Sequence, residues 1–315
     1  GEETLPKIFS LGEFSAKEIN FLNQNNHHKI KLSDESLNFL VSDVNRSILL
    51  SKLISRWKKY QGKEEENLNN LLELSDQLGK LLDESDINQF NKNKFKEIIP
   101  NNFSAHWRDV ENFLNIIMES WPKIAKENEI VSKADNYFYA INSLIQSWKK
   151  KLPSSHVIIA GSTGSIPVTR KLIKFVSDLS NGIVIIPGLD TYLDENSWTS
   201  INETHPQYNI KLLLSQLKVA RENIDDWHKD ESSGSYNRSM LSSEVMRPLE
   251  TISSWSTLSF PESTYEKIYR FSYNSETEEA RAISVIIMHA YSKTKKSIAL
   301  ITSNRNLSRR ILHNL

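Results

Sequence analysis

The feature that most constrains this chain is a change of period near residue 153. Before it, apolar residues recur three and four apart; after it, short solid apolar runs alternate with helical stretches. Spacings of three and four place side chains on one helix face, whereas a run of four β-branched residues suits a strand. Leu37, Leu40, Val41, Val44, Ile48, Leu49, Leu53, Ile54 and Trp57 make the first stripe, with Ser33 as N-cap and Asp34 and Glu35 in the positive first turn. Gln61-Gly62-Lys63 breaks it. Leu68 to Leu82 carries a second stripe that includes Ser75, Phe103 to Trp121 a third, and Phe138 to Trp148 a fourth.

Beyond Pro153 the order becomes strand, loop, helix, turn, strand. Val157-Ile158-Ile159-Ala160 is the first apolar run, 168–179 reads as a helix, Asn181-Gly182 as a turn, and Ile183-Val184-Ile185-Ile186 as the second run. Continuous runs of this kind predict parallel strands covered by helices on both faces. A helix is expected over 209–220, a flexible Ser-Gly loop over 229–238, and a strand over 267–273. A helix over 276–291, a strand over 297–302 and a helix opening at Asn306 follow.

Composition removes whole classes of chemistry. Without cysteine there are no disulfides, iron–sulfur clusters or thiolate zinc sites. Lys plus Arg balances Asp plus Glu at 39 each, so no general basic excess announces nucleic acid. No apolar run approaches the ~20 residues of a membrane helix, and Gly1-Glu2-Glu3 lacks the pattern of a signal peptide, so no membrane role and a cytoplasmic location are expected. The start without Met, and a stop soon after a strand–helix unit opens, read as a piece of a longer protein.

Few motifs carry chemistry. Gly161-Ser162-Thr163-Gly164-Ser165 joins the first strand to its helix, so Ser162, Thr163, Gly164 and Ser165 are candidate phosphate-loop residues. No Lys follows Gly164 as a nucleotide loop requires, the dinucleotide fingerprint lacks its third Gly, and a tight turn is the favoured reading. Neither strand ends in the Asp-Glu pair that holds magnesium; Asp190 alone reads as a turn former. Asp225-Asp226-Trp227-His228 reads as solvated surface rather than metal ligands, and His205-Pro206-Gln207-Tyr208 as a helix cap or a packed turn rather than an acid–base pair. Gly-x-Ser-x-Gly is absent. Among the basic clusters (149–151, 293–296 and 305–310), Arg305, Arg309 and Arg310 are the candidate DNA contacts, because their spacing lines one side of a helix.

Several segments together resemble the AddB-type subunit, an inactivated superfamily I helicase of bacterial double-strand-break repair. They are Ile159-Ala160-Gly161-Ser162-Thr163-Gly164-Ser165-Ile166-Pro167, Ile185-Ile186-Pro187-Gly188-Leu189-Asp190, and His205-Pro206-Gln207-Tyr208 before a Lys-Leu-Leu-Leu helix. Leu5-Pro6-Lys7-Ile8, Ala105-His106-Trp107, Glu119-Ser120-Trp121-Pro122, Met246-Arg247-Pro248, Glu278-Glu279-Ala280 and Ile298-Ala299-Leu300-Ile301-Thr302 follow the same family in the same order. The resemblance implies an α/β fold: a helical region over 1–152 (helicase 1A/1B-like), a parallel-sheet, helicase-like (RecA-like) core over 153–265, and the start of a second α/β domain over 266–315. It implies a non-catalytic element that binds DNA or an AddA-type motor subunit, with no catalytic residue, no metal and no cofactor in this chain. Two alternatives stay open on the residues: an α/β enzyme holding a nucleotide or small molecule on the 161–165 loop, and an interaction module that never touches DNA.

Overall fold

A computed structural model describes residues 6–11, 43–60, 62, 67–89, 105–128, 130, 132–227 and 233–315. The described residues are mostly helical, with one small parallel sheet among them. It divides into two compact units, 1–229 with 246–253, and 230–245 with 254–315.

Among its described residues unit one holds helices α1 (Asp43–Tyr60), α2 (Leu68–Ile87) and α3 (Ala105–Glu127). The three helices wall a shared core, with Leu50 and Ile54 from α1, Leu78 and Leu82 from α2, and Met118 and Trp121 from α3; Leu50 and Met118 fall outside the expected stripes. Ser75 sits fully buried in the α2 stripe and returns its hydroxyl to the Leu71 carbonyl, which is how a polar side chain is tolerated there. Arg46 ties α1 to α2 through Asp83 at 2.6 Å and the Gly79 carbonyl at 3.2 Å. The expected cap at Ser33, and residues 37–42 of the first stripe, lie outside the described residues, as does Phe103 of the third.

Helix α4 (Lys133–Lys150) begins with a capping box, Ser132 accepting from the Asp135 amide at 3.0 Å while Asp135 accepts from the Ser132 amide. It packs its Ile141, Leu144, Ile145 and Trp148 on a βαβ unit: β1 (Val157–Ala160), α5 (Pro167–Ser177) and β2 (Gly182–Ile185). The strands are parallel, with Val157 opposite Gly182 and Ala160 opposite Ile185. Val168, Leu172, Ile173 and Val176 of α5 complete this core with Leu213 and Leu217 of α7 (Tyr208–Leu217). Between β2 and α7 lies the short α6 (Glu195–Ser200).

The expectation of strands buried on both faces is not met. Val157, Ile159, Val184 and Ile186 turn inward, while Ile158 is 58% and Ile183 43% exposed on the other face. Strand residues alternate sides, so helices packed on one face protect only every second residue. Among the described residues the sheet has two strands.

Unit two holds α8 (Ser233–Val245), α9 (Glu276–Thr294) and α10 (Arg305–Asn314). The flexible loop expected over 229–238 is helical from Ser233; residues 228–232 lie outside the described residues. The Glu244 carbonyl accepts from Trp255 Nε1 at 3.1 Å, and Arg238 reaches the Glu266 carbonyl, so contacts within the unit overrule weak local propensity. The strands expected at 267–273 and 297–302 are corrected as well: neither segment is paired. A strand's backbone is satisfied by a neighbouring ladder, and these segments have none among the described residues. Ile268, Tyr269, Phe271 and Ile301 are consequently exposed. Helices α9 and α10 pack through Ala280, Leu307 and Ile311, where the Ser284 hydroxyl meets the Ile311 carbonyl at 3.2 Å. No helix among the described residues is long and apolar enough to cross a membrane.

Candidate functional site

Both strands of a parallel pair end at one edge, where open α/β folds place their ligands. Here that edge carries the loop after β1 and the loop after β2. The first is built from two left-handed glycines, Gly161 at φ +78° and Gly164 at φ +67°. Gly161 extends the ladder, its amide donating to Ile185 at 3.2 Å. The Gly164 amide donates to Ser162 Oγ at 3.2 Å. From one turn into α5, Arg170 Nη1 donates to the Gly164 carbonyl at 2.7 Å and the Ser165 carbonyl at 3.2 Å. Burial pulls the Arg170 pKa below its ordinary value, with Tyr208 opposing. A β-carbon on Gly164 would lie 2.8 Å from Arg170 Cγ and 3.3 Å from Leu213 Cδ1, so the loop is packed on side chains from both helices. Pro167 takes the first position of α5 and the N-cap, Ile166, supplies no side-chain bond. The structure therefore gives Ser162 and Gly164 to the turn itself, and the carbonyls of Gly164 and Ser165 to an internal guanidinium.

The second loop is held by a polar lattice. Asp190 Oδ1 accepts from the amides of Tyr192 at 2.9 Å and Leu193 at 3.1 Å, as expected of a turn former. Gln207 straddles the loop, its Oε1 accepting from the Asp190 amide at 3.2 Å and its Nε2 donating to the Gly188 carbonyl at 2.8 Å. His205 Nδ1 accepts from the Gln207 amide at 3.1 Å, which leaves the proton on Nε2 to be donated to the Met246 carbonyl at 2.7 Å. His205 and Gln207 thus pack this turn, one of the two roles the sequence suggested; Gln207 is the N-cap residue of α7 but makes no side-chain cap bond, and His205 faces a carbonyl.

Sequence reasoning missed the third part. Ser197, fully buried, donates to Asp194 Oδ2 at 2.9 Å and lies 2.7 Å from Thr251 Oγ1; Arg247 donates to both Asp194 and Ser197. Partial burial pushes the Asp194 carboxyl up. The Ser197 amide, the Arg247 guanidinium and the Ser197 hydroxyl outweigh it and hold the pKa at about 2, from an ordinary 3.8. Arg221 stacks 4.7 Å from the Trp198 ring and donates to the Asp190 carbonyl at 3.3 Å. Asp194 three residues before Ser197 is a helix-cap spacing legible in sequence; its meeting with Arg247 and Thr251 is not, because no local signal spans fifty residues.

In unit two the three expected DNA contacts separate. Arg310 Nη1 donates to Thr277 Oγ1 at 3.0 Å and its Nε lies 3.9 Å from Glu276. Arg305 and Arg309 are exposed. Asp225, Asp226 and Trp227 are exposed as expected, and His228 lies outside the described residues. Among the described residues no group of three or more His, Asp or Glu is placed to hold a metal ion. No protein-family model, no curated protein and no solved structure matches the chain.

Proposed function

We propose that this chain is a non-catalytic, helicase-shaped element of a bacterial double-strand-break repair complex, similar to AddB, acting on DNA beside an AddA-type motor. In this reading the βαβ unit is part of a RecA-like core, and the loop after β1 serves as a structural turn rather than a nucleotide site. The observation that carries it is the closure of the 161–166 loop. Where a nucleotide loop turns its amides toward phosphate, the Gly164 amide is given to Ser162 and the adjoining carbonyls to Arg170. A loop whose carbonyls face a cation and whose buried glycine packs on Leu213 offers poor ground for a triphosphate. The segments that carry the resemblance, in the same order from Leu5 to Thr302, support the family reading.

The test is calorimetric titration with MgATP, together with an ATPase assay. No saturable heat at millimolar nucleotide and no turnover are expected. Micromolar affinity with magnesium-dependent hydrolysis overturns the silent-loop reading and favours an enzyme. Co-purification with a co-expressed AddA-type motor checks the partner.

A further inference from the structure

We propose that the outer face of α10, presented by Arg305 and Arg309, binds the phosphate backbone of nucleic acid. This rests on the reading above that the chain works on DNA, though not on the silent loop.

Charge distribution is the first observation. The chain as a whole is neutral, yet residues 280–315 contain seven Lys or Arg and no Asp or Glu. The nearby carboxylates lie at the start of α9, where Glu276, Glu278 and Glu279 suit the positive end of the helix. Glu276 is already engaged: its Oε1 accepts from Asn304 Nδ2 at 3.3 Å and its Oε2 lies 3.9 Å from Arg310.

Geometry is the second. Leu307 and Ile311 bury one side of α10 against α9. At 100° per residue, Arg305 and Arg309 project from the opposite side, one turn apart. Both are exposed, and neither makes an ion pair among the described residues. Their rise of about 6 Å along the helix is close to the separation of successive phosphates, and Arg presents a planar fork suited to phosphate oxygens.

Local energetics is the third. Like charges one turn apart repel, and a cation in the first turn opposes the helix dipole. Two unfavourable choices on one exposed face, with no carboxylate to offset them, break a local rule in the way functional surfaces do. Arg310, also exposed, differs in having partners: its Nη1 donates to Thr277 Oγ1 at 3.0 Å and its Nε lies 3.9 Å from Glu276.

The experiment is fluorescence anisotropy of a labelled DNA duplex titrated with the whole chain at several salt concentrations. Arg305→Ala/Arg309→Ala, Arg305→Lys/Arg309→Lys and Arg310→Ala are measured in parallel, with circular dichroism to confirm folding. The unaltered chain is expected to bind with a steep salt dependence. The double alanine variant loses about tenfold in affinity, and its salt slope falls by about 1.8, from ~0.9 per phosphate contact. The double lysine variant keeps most of the slope, and Arg310→Ala leaves it unchanged. Duplex binding that survives the double alanine variant, or that falls equally with Arg310→Ala, overturns the assignment to this face alone. Failure of the unaltered chain to bind any duplex overturns the DNA reading itself, and the inference with it. Binding to phosphatidylserine vesicles in place of duplex does the same.

Discussion

Gly182 is the position where one methyl group should do the most damage. It opens β2, and its neighbours close around it. A β-carbon built there would stand 1.9 Å from the Val176 carbonyl oxygen, 2.9 Å from its carbon and 3.2 Å from Leu179 Cβ. Two of these are backbone atoms, and the oxygen already accepts from the Leu179 amide at 3.1 Å. Relief therefore requires β2 to part from the end of α5 by more than ~1 Å. That movement opens the wall where Val176 is fully buried and pulls on the pairing of Gly182 with Val157. Combined overpacking and loss of a buried wall place Gly182→Ala at about 4 kcal/mol, in the exceptional range for one substitution. Gly161→Ala is the control. Gly161 has no atom within 4 Å of its virtual β-carbon and only a left-handed φ of +78°, so it should cost ~1–2 kcal/mol. Urea denaturation, with hydrogen exchange followed over residues 157–186, separates the two. If Gly182→Ala costs no more than Gly161→Ala, the close approach of strand and helix is wrong, and so is the account of this turn.

The two faces of the sheet make a second comparison. Ile173→Ala removes a fully buried side chain from the core beneath β1 and should cost 2–5 kcal/mol by denaturation; Ile158→Thr, on the exposed face, should stay within about 0.5 kcal/mol. A large loss from Ile158→Thr would mean that the second face is covered after all. Asp194→Asn tests the polar lattice. With its folded pKa held at about 2 against 3.8, the carboxylate stabilises above the unfolded value, and that stabilisation is lost as pH falls from 3.8 toward 2. The side chain is 48% exposed, so solvent screening reduces the contribution to about 1 kcal/mol at neutral pH. The gap between the original and the Asn variant should narrow through that window in acid titrations of stability; a gap constant down to pH 2 removes the charge argument.

How much of this was legible in the sequence depends on the range of the forces involved. The stripes at 44–57, 68–82 and 138–148 became helices, because a helix repeats its own neighbours every turn and needs no distant information; Ile54, Leu78, Leu82, Ile141, Leu144, Ile145 and Trp148 of those stripes form the cores, whereas Val44, Ile48, Leu68 and Leu72 are exposed and Leu50, outside the stripe, is buried. The strand–loop–helix–strand order over 157–186 emerged for the same reason, since turn chemistry at Gly161 and Asn181-Gly182 is local. The failures are all non-local. Ile298-Ala299-Leu300-Ile301-Thr302 has strand composition, but composition cannot create the second backbone that a ladder requires. The solid run Val157-Ile158-Ile159-Ala160 promised two covered faces, whereas one helix layer protects one face, and Ile158 is left to solvent.

The candidate site divides along the same line. Asp190 was readable as a turn former because its partners lie two and three residues on, whereas the hold of Gln207 on Gly188 and Asp190 was not readable and Gln207 makes no side-chain cap bond. The Asp194–Ser197–Arg247–Thr251 lattice was invisible, since only folding brings residues 247 and 251 back to α6. The same logic splits the arginines of α10. Spacing placed Arg305, Arg309 and Arg310 on one helix, but only the structure brings Glu276, twenty-nine residues before Arg305, to 3.9 Å from Arg310. Helical phase then leaves Arg305 and Arg309 facing away from Leu307 and Ile311. Those two cations have no carboxylate partner among the described residues, and residues 280–315 contain no Asp or Glu, which is the local imbalance the proposed phosphate contact would relieve.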